Sequence, residues 1–140
     1  MGKINNSWYT SGTDLWATPV KVFEELDAEF HFNLDPCAVA ENAKCERYFT
    51  PEQDGLAQDW GGATVFCNPP FSQMARWVRK CYEESLKPGT KVVMLIPART
   101  DTRYFHDWIY HKAELRFIRG RLHYNDGPQG APFPSMVVIY

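Results

Sequence analysis

The spacing of apolar residues changes along the chain between a helical and a strand-like period, which predicts an α/β domain. The first helical segment opens at Thr18 and Pro19, because threonine suits the N-cap and proline suits the first helical position. Apolar residues then recur on one face, and we expect this helix to end at about Glu29.

Two short strand-like segments follow the first helix. Residues 32–38 form one of them, and Pro36 ends it, which leaves Asp35 at its carboxyl tip. Residues 47–50 form the other, before a cluster of turn-forming residues at 51–55. Ligands of open α/β sheets bind outside the carboxyl ends of the strands, so Asp35 is a candidate binding residue.

The segment 64–72 is predicted to be a buried strand that stops in a rigid polar corner. Residues 65–67 are an apolar run, and the two successive prolines after Asn68 cannot continue a strand ladder. The chain must therefore turn at Asn68. The amide of Asn68 and an exposed ring, that of Phe71, are expected to lie together beside this rigid backbone.

The second half of the chain continues the alternation. A helix capped by Ser72 and ended by Pro88 and Gly89 precedes residues 91–98, the most apolar run and an expected central strand covered on both faces. The remaining predicted elements are a helix that begins at Thr100 or Thr102, a strand over 115–124 that breaks at Gly120, a glycine- and proline-rich loop over 125–134, and a final strand over 135–140.

Length and composition limit the number of domains. The chain has 140 residues, of which 44% are apolar and 15% aromatic, and this is enough for one core. We therefore expect one compact domain over residues 1–140. Residues 1–17, which include Trp8, Tyr9 and Trp16, form an aromatic-rich N-terminal arm that is expected to pack over another part of the domain.

The cysteines and the hydropathy pattern bear on the environment of the protein. The four cysteines are widely spaced and match neither a zinc motif nor a disulfide framework, so we expect free thiols, a reducing cytoplasm and no metal. No apolar run approaches the length of a membrane span, so membrane insertion is not expected.

Charge is distributed unevenly along the chain. Residues 1–71 carry 4 Lys and Arg against 11 Asp and Glu, whereas residues 72–121 carry 11 against 5. A basic face from the second half is suited to nucleic-acid phosphates, while an acidic first half is suited to a cationic ligand. Solvated helix faces of opposite sign would give the same distribution.

The corner at Asn68 has the groups needed to hold an exocyclic amine on a flat ring. The side-chain oxygen of Asn68 and the carbonyl of Pro69 are two acceptors, and Phe71 offers a stacking surface. Two acceptors of this kind can draw an adenine N6 amine toward a tetrahedral geometry, which frees its lone pair to attack a methyl donor. The corner would act through electrostatic preorganisation and in-line positioning.

The tetrapeptide formed by Asn68, Pro69, Pro70 and Phe71 resembles the catalytic Asn/Asp-Pro-Pro-Tyr/Phe motif of the S-adenosylmethionine-dependent amino-methyltransferases of nucleic acid. The resemblance extends over about residues 8–140, and it is nearest to the phage-type DNA N6-adenine methyltransferases, the phage Dam family. It implies a Rossmann-like methyltransferase fold with a mixed, mostly parallel sheet of about seven strands and helices on both faces. The four residues of the tetrapeptide would be catalytic.

The resemblance also implies a site for S-adenosyl-L-methionine. An aromatic-x-Thr-Pro element, an acid in a tight turn and a second acid ahead of the catalytic strand contact the cofactor in the family, with the catalytic Asn68 at the methyl group. The matching residues are Trp16, Thr18, Pro19, Asp35, Cys37, Ala38 and Asp59. Residues 38–44 replace the family's glycine-rich loop, and this departure points to a compact phage-type branch of the family, in which Asp-Pro-Cys/Phe-Ala is usual.

The partner implied by the resemblance is double-stranded DNA with a flipped adenine. The resemblance also implies that the protein is encoded by a phage or prophage and acts in the cytoplasm of a bacterial host cell. Arg99 and Arg103 are candidate phosphate contacts at the rim, and Phe133 in the last loop is expected to face Phe71 near the base. With no separate target-recognition domain visible, the expected state is a monomer or a homodimer.

Two other functions remain open at the level of sequence. The first is methyl transfer to another acceptor, because RNA adenines and protein glutamine amides present a similar planar amine to the same tetrapeptide. A non-catalytic nucleic-acid-binding domain that has kept the fold is a further alternative, because the cofactor loop departs from the family pattern.

Overall fold

The computed structural model describes residues 16–39 and 41–140. The predicted arm lies outside the described residues except for Trp16 and Ala17. The helices and strands in chain order are α1 (Val20–Phe30), β1 (Thr64–Cys67), α2 (Met74–Ser85), β2 (Lys91–Pro97), α3 (Arg103–Trp108), β3 (Glu114–Phe117) and β4 (Ser135–Ile139). The domain is therefore mixed α/β, as the apolar spacing predicts.

The described strands form one four-stranded mixed sheet in the order β1-β2-β4-β3. The β1 and β2 strands are parallel, whereas β4 is antiparallel to both of its neighbours, β2 and β3. The expectation of about seven mostly parallel strands is wrong for this part of the chain, which has one parallel and two antiparallel strand pairs. The last two strands along the chain, β3 and β4, form one of these antiparallel pairs.

The two predicted strands before β1 shrink to single bridges. Leu34 bridges to Val65 and Asp35 bridges to Tyr48, both in parallel orientation. Pro36 comes directly after Leu34 and Asp35, and proline has no N–H for a further ladder bond. The segments therefore extend the sheet at the level of hydrogen bonding without forming strands of their own.

Helices cover both faces of the sheet, as expected. Leu26 of α1 packs with Phe66, Val93 and Val137 on one face. Trp77 of α2 and residues of α3 pack with the alternate strand positions on the other face. Successive side chains of a strand point to opposite faces, so β2, whose residues 92–97 are all buried, contributes to both cores.

Two helix starts differ from the predictions. Pro19 occupies the N-cap of α1 with no side-chain cap, and the free N–H of Val20 donates instead to the distant carboxylate of Asp126 at 3.3 and 3.4 Å. The α2 helix begins at Met74 after a 3-10 turn over Phe71–Gln73, so Ser72 is not its N-cap. The alternative start of α3 at Thr102 is confirmed, because its hydroxyl accepts from the N–H of Phe105 at 3.3 Å.

Three strands deliver their following loops to one rim of the sheet. The β1 and β2 strands are parallel, and β3 runs in the same direction because both β2 and β3 pair antiparallel with β4. Asn68, Ala98 and Ile118, which follow these strands, therefore lie at what we call the carboxyl rim.

Among residues 16–39 and 41–140, every helix is too short or too polar to cross a bilayer.

Candidate active site

Asn68 stands at the carboxyl rim with its side chain held by two acceptors. Its amide nitrogen Nδ2 donates to the backbone carbonyl of Trp16 at 2.6 Å and to the hydroxyl oxygen of Thr18 at 2.9 Å. Its oxygen Oδ1 is buried and has no hydrogen-bond partner among the described residues. A buried carbonyl oxygen without a partner costs about 1–3 kcal/mol, which makes Oδ1 a candidate to accept a hydrogen bond from a ligand.

The orientation of this amide follows from chemistry. A backbone carbonyl can only accept a hydrogen bond, so the atom of Asn68 that faces the Trp16 carbonyl must be the NH₂ group. The oxygen is therefore the atom that points the other way. Asn68 presents an acceptor, which is the group that an exocyclic amine needs.

Aromatic rings enclose the corner. The Trp16 indole stacks on Phe71 with centroids 5.7 Å apart and planes 5° apart. Phe133 meets Phe71 edge to face at 5.2 Å and Trp16 at 5.3 Å, and Tyr124 closes the group from the side of Trp16. Phe133 thus faces Phe71 but is buried, and Phe71 itself is only partly exposed because Trp16 covers one of its faces.

Asp35 organises the loop that follows its bridge. Its side chain is 5% exposed, and its carboxylate accepts from the backbone N–H groups of Cys37 at 3.4 Å and Lys44 at 3.1 Å. Burial raises the pKa of Asp35 from 3.8 to about 6, and the two backbone hydrogen bonds oppose the shift only in part. A cationic group bound beside Asp35 would stabilise the ionised carboxylate, which burial disfavours.

The raised pKa of Asp35 predicts a pH dependence of stability. Between about pH 4 and pH 6 the folded protein keeps a proton that the unfolded chain has released, so the contribution of Asp35 to stability falls as pH rises through this window. The full effect is roughly 3 kcal/mol, from about 1.4 kcal/mol per pKa unit. Urea unfolding at pH 4 and pH 7 measures it, since the stability of Asp35→Asn relative to wild type should improve by this amount at pH 7. Parallel pH profiles of the two proteins would contradict the assignment.

Residues 36–39 and 41–44, which follow Asp35, are called the Asp35 loop. Cys37 links this loop to the corner at Asn68. Its thiol donates to the backbone carbonyl of Asn68 at 3.2 Å, and its sulfur lies 3.8 Å from that of Cys67. Both cysteines are free and buried, and burial raises the pKa of each thiol well above its ordinary value. These thiols are therefore protonated packing groups, and neither is a nucleophile. The next residue, Ala38, is buried and donates its N–H to the carbonyl of Phe49 at 3.1 Å.

Asp59 is not brought to the corner. It precedes β1, at the opposite rim of the sheet, where its exposed carboxylate pairs with the ammonium group of Lys87 at 2.8 Å. This hydrogen bond and a backbone N–H from Gly61 hold the pKa of Asp59 below its ordinary value. The neighbouring Trp60 is buried against Trp77 in the core. The structure thus does not bring the Asp59 carboxylate together with Asp35 and Asn68, and the expected contact of Asp59 with the cofactor stays a prediction.

Exposed arginines lie at the carboxyl rim. Arg99 follows β2 and Arg103 begins α3, and both side chains are exposed, as a phosphate contact requires. Arg119 and Arg121, which the sequence pattern does not indicate as candidates, follow β3 at the same rim and are also exposed. The sequence pattern predicts a strand at their positions, whereas β3 ends at Phe117 and the chain there is a loop.

The turn at residues 124–126 begins the predicted loop over 125–134, but the sequence does not indicate that this turn faces the corner. Tyr124 is buried in the aromatic group, and Asn125 and Asp126 both have positive φ, at 60° and 52°. Asn and Asp tolerate this left-handed conformation best among residues other than glycine. The Asn-Asp-Gly sequence is the signal that could have located the turn, although nothing in it indicates contact with residues 17–20.

These features define an α/β domain whose candidate site lies at the carboxyl ends of its parallel strands, where open α/β sheets bind ligands. The asparagine amide, two prolines and a ring of aromatic side chains make up this site. The chain belongs to the family described as DNA N-6-adenine-methyltransferase (Dam), whose model matches residues 6–139.

Two phage proteins are similar to this chain over most of its length. The DNA N-6-adenine-methyltransferase of Haemophilus phage HP1 (strain HP1c1) is 36% identical over 110 residues, which cover 77% of this chain and 64% of the relative. The DNA N-6-adenine-methyltransferase of Escherichia phage T1 is 32% identical over 111 residues, which cover 78% of this chain and 46% of the relative. The matched part is thus less than two thirds of the length of either phage relative.

Proposed function

We propose that this protein transfers a methyl group from S-adenosyl-L-methionine to the N6 amine of adenine in DNA. The observation that carries the proposal is the side-chain oxygen of Asn68, which is buried, unpaired among the described residues and fixed as an acceptor by two donated hydrogen bonds. Family membership and the names of the phage relatives support the same reaction.

The protein's contribution to the reaction is to hold the amine and orient the base. Adenine N6 is a poor nucleophile because its lone pair is delocalised into the ring. Hydrogen bonds from N6 to Asn68 Oδ1 and to the Pro69 carbonyl localise that lone pair, and they strengthen as positive charge develops on nitrogen. The amine becomes acidic only when the new N–C bond has formed, so the site needs no strong base beforehand.

The residues beside the corner fit a cationic methyl donor. The buried carboxylate of Asp35, with its raised pKa, would be stabilised by the ammonium group of S-adenosyl-L-methionine. Cys37 and Ala38 would line the same loop, and Trp16, Thr18 and Pro19 would border it from the side of Asn68. The cofactor supplies an electrophilic methyl group on a sulfonium.

Removal of the Asp35 carboxylate should weaken cofactor binding. We expect Asp35→Ala to raise the dissociation constant for S-adenosyl-L-methionine by about tenfold or more, because a charge-assisted contact and the hydrogen bonds to the backbone of Cys37 and Lys44 are both lost. Isothermal titration calorimetry measures this constant. Asp59→Ala is the matched control at the opposite rim and should bind like wild type. An unchanged constant in Asp35→Ala would remove this role, and a raised constant in Asp59→Ala would reinstate Asp59.

DNA would approach the carboxyl rim. The exposed side chains of Arg99, Arg103 and Arg119 are suited to phosphates on either side of a flipped nucleotide. The flipped base would stack on Phe71, with Phe133 at its edge. Since Trp16 now covers Phe71, the indole has to swing away before the base can enter.

The reaction is tested by incubating the protein with adenine-containing duplex DNA and isotopically labelled S-adenosyl-L-methionine. Digestion to nucleosides and mass spectrometry should detect labelled N6-methyladenine. RNA and a glutamine-containing peptide serve as competing acceptors in the same assay. Label found only in RNA or peptide would refute DNA as the substrate. Absence of cofactor binding at millimolar concentration would favour a non-catalytic domain.

A further inference from the structure

The hydroxyl of Thr18 is not used to begin the helix that follows it. Thr18 is 3% exposed, and its oxygen accepts the Nδ2–H of Asn68 at 2.9 Å instead of a helical N–H. The N-cap position of α1 belongs to Pro19. The Thr-Pro sequence is therefore explained only in part by helix capping, and the side chain of the threonine is directed at the catalytic corner.

The backbone on both sides of Thr18 is pinned to the turn at 124–126. Ala17 donates its N–H to the side-chain oxygen of Asn125 at 2.9 Å and accepts the N–H of Asn125 on its own carbonyl at 2.8 Å. Val20 donates to the carboxylate of Asp126. These bonds fix the position of the Thr18 hydroxyl from a part of the chain that does not depend on Asn68.

We propose that Thr18 is a positioning residue that holds the Asn68 amide with its oxygen toward the reacting amine. This inference rests on the proposed function and deepens it. Without an acceptor at Thr18, the Trp16 carbonyl would be the one described group left to restrain the amide, and Trp16 is the residue whose ring has to leave Phe71 when a base enters. The pinned hydroxyl keeps the amide oriented during that movement.

Steady-state kinetics on two variants test the role. Thr18→Val keeps the volume and removes the acceptor, and it should lower kcat about tenfold, the effect of one hydrogen bond. Thr18→Ser keeps the acceptor and should recover most of the lost rate. Thr18 also borders the proposed cofactor site, so the dissociation constant for S-adenosyl-L-methionine is measured in parallel, and the fall in kcat of Thr18→Val should remain when the cofactor is saturating.

A matched control removes a threonine hydroxyl elsewhere. Thr90 accepts the N–H of Gly62 at the opposite rim, at 2.8 Å, so Thr90→Val carries the same chemical change away from the corner. Its kcat should equal that of wild type, and thermal unfolding of all variants shows that each is folded. An unchanged kcat in Thr18→Val, or a loss that appears only as weaker cofactor binding, would overturn the inference.

A readout that needs no turnover separates this inference from the proposed function. In ¹⁵N-labelled protein, the side-chain amide signal of Asn68 can be assigned by its disappearance in Asn68→Ala. Its protons should exchange slowly with water in wild type and Thr18→Ser and at least tenfold faster in Thr18→Val. An inactive wild type would refute the proposed function, and this exchange rate would still decide whether Thr18 orients the amide. Equal exchange rates in wild type and Thr18→Val would refute the orientation itself.

Discussion

Replacing Asn68 by alanine is expected to lower the rate of methyl transfer by on the order of 10²–10³-fold, the loss typical of one preorganised transition-state hydrogen bond in a buried site. The variant removes the acceptor Oδ1, which is the buried oxygen without a partner in the described residues. The affinity for S-adenosyl-L-methionine should stay nearly intact, because the Asp35 loop contacts the backbone carbonyl of Asn68 and not its side chain. Single-turnover kinetics and calorimetry separate the two effects.

Two further substitutions sharpen this result. Asn68→Asp keeps an acceptor but places a carboxylate oxygen against the Trp16 carbonyl, where only a donor fits, so it should also be impaired although the family motif admits aspartate. Asn33→Ala is the control, since Asn33 caps the N–H of Thr64 at the other end of β1. Undiminished turnover in Asn68→Ala would remove this side chain from the mechanism.

Gly55→Ala is expected to destabilise the fold by about 3 kcal/mol or more, equivalent to a fall in Tm of roughly 10 °C. A Cβ at this position would overlap the backbone carbonyl oxygen of Pro36 and would lie 3.1 Å from the Trp77 ring. Backbone cannot yield as a flexible side chain does, so the Asp35 loop would have to shift. Because Cys37 belongs to that loop, cofactor affinity should fall together with stability.

Gly127→Ala is the matched control for this prediction. Gly127 has an ordinary negative φ of −82°, and a Cβ there meets only the Tyr124 carbonyl at a normal contact distance of 3.5 Å. Its effect should stay within about 0.5 kcal/mol. Differential scanning calorimetry measures both variants, and equal Tm values for Gly55→Ala and wild type would contradict the close approach of the Pro36 carbonyl to Gly55.

Local sequence signals predicted the elements that have strong local causes. The apolar run at 91–98 became the buried strand β2 at Lys91–Pro97, and the prolines after Asn68 ended β1 where expected. The segments at 32–38 and 47–50 were predicted as strands and form only bridges. Strand length depends on the partner that is available. Leu34 pairs with the short β1, and Tyr48 pairs with Asp35, which Pro36 follows directly.

Helix caps show the same limit. Thr102 caps α3 through a residue three positions away, so its role could be predicted from sequence. Thr18 has the same local pattern, yet its hydroxyl accepts from Asn68, fifty positions along the chain. The cap of α1 comes from Asp126, which is 106 residues distant. Partners that far apart leave no signal in a local pattern.

The sequence by itself determined the chemistry of the corner: an acceptor amide, a proline-stiffened backbone and an aromatic ring follow from residue types in direct succession. The tertiary structure alone decided which atom of Asn68 is available, that Thr18 and Trp16 hold the other atom, and that Asp59 lies at the far rim. The physical reason is that residue types and their local spacing fix the covalent groups and the backbone torsions they allow. The direction of a side chain and the burial of a charge depend on contacts between segments that meet only in the folded sheet.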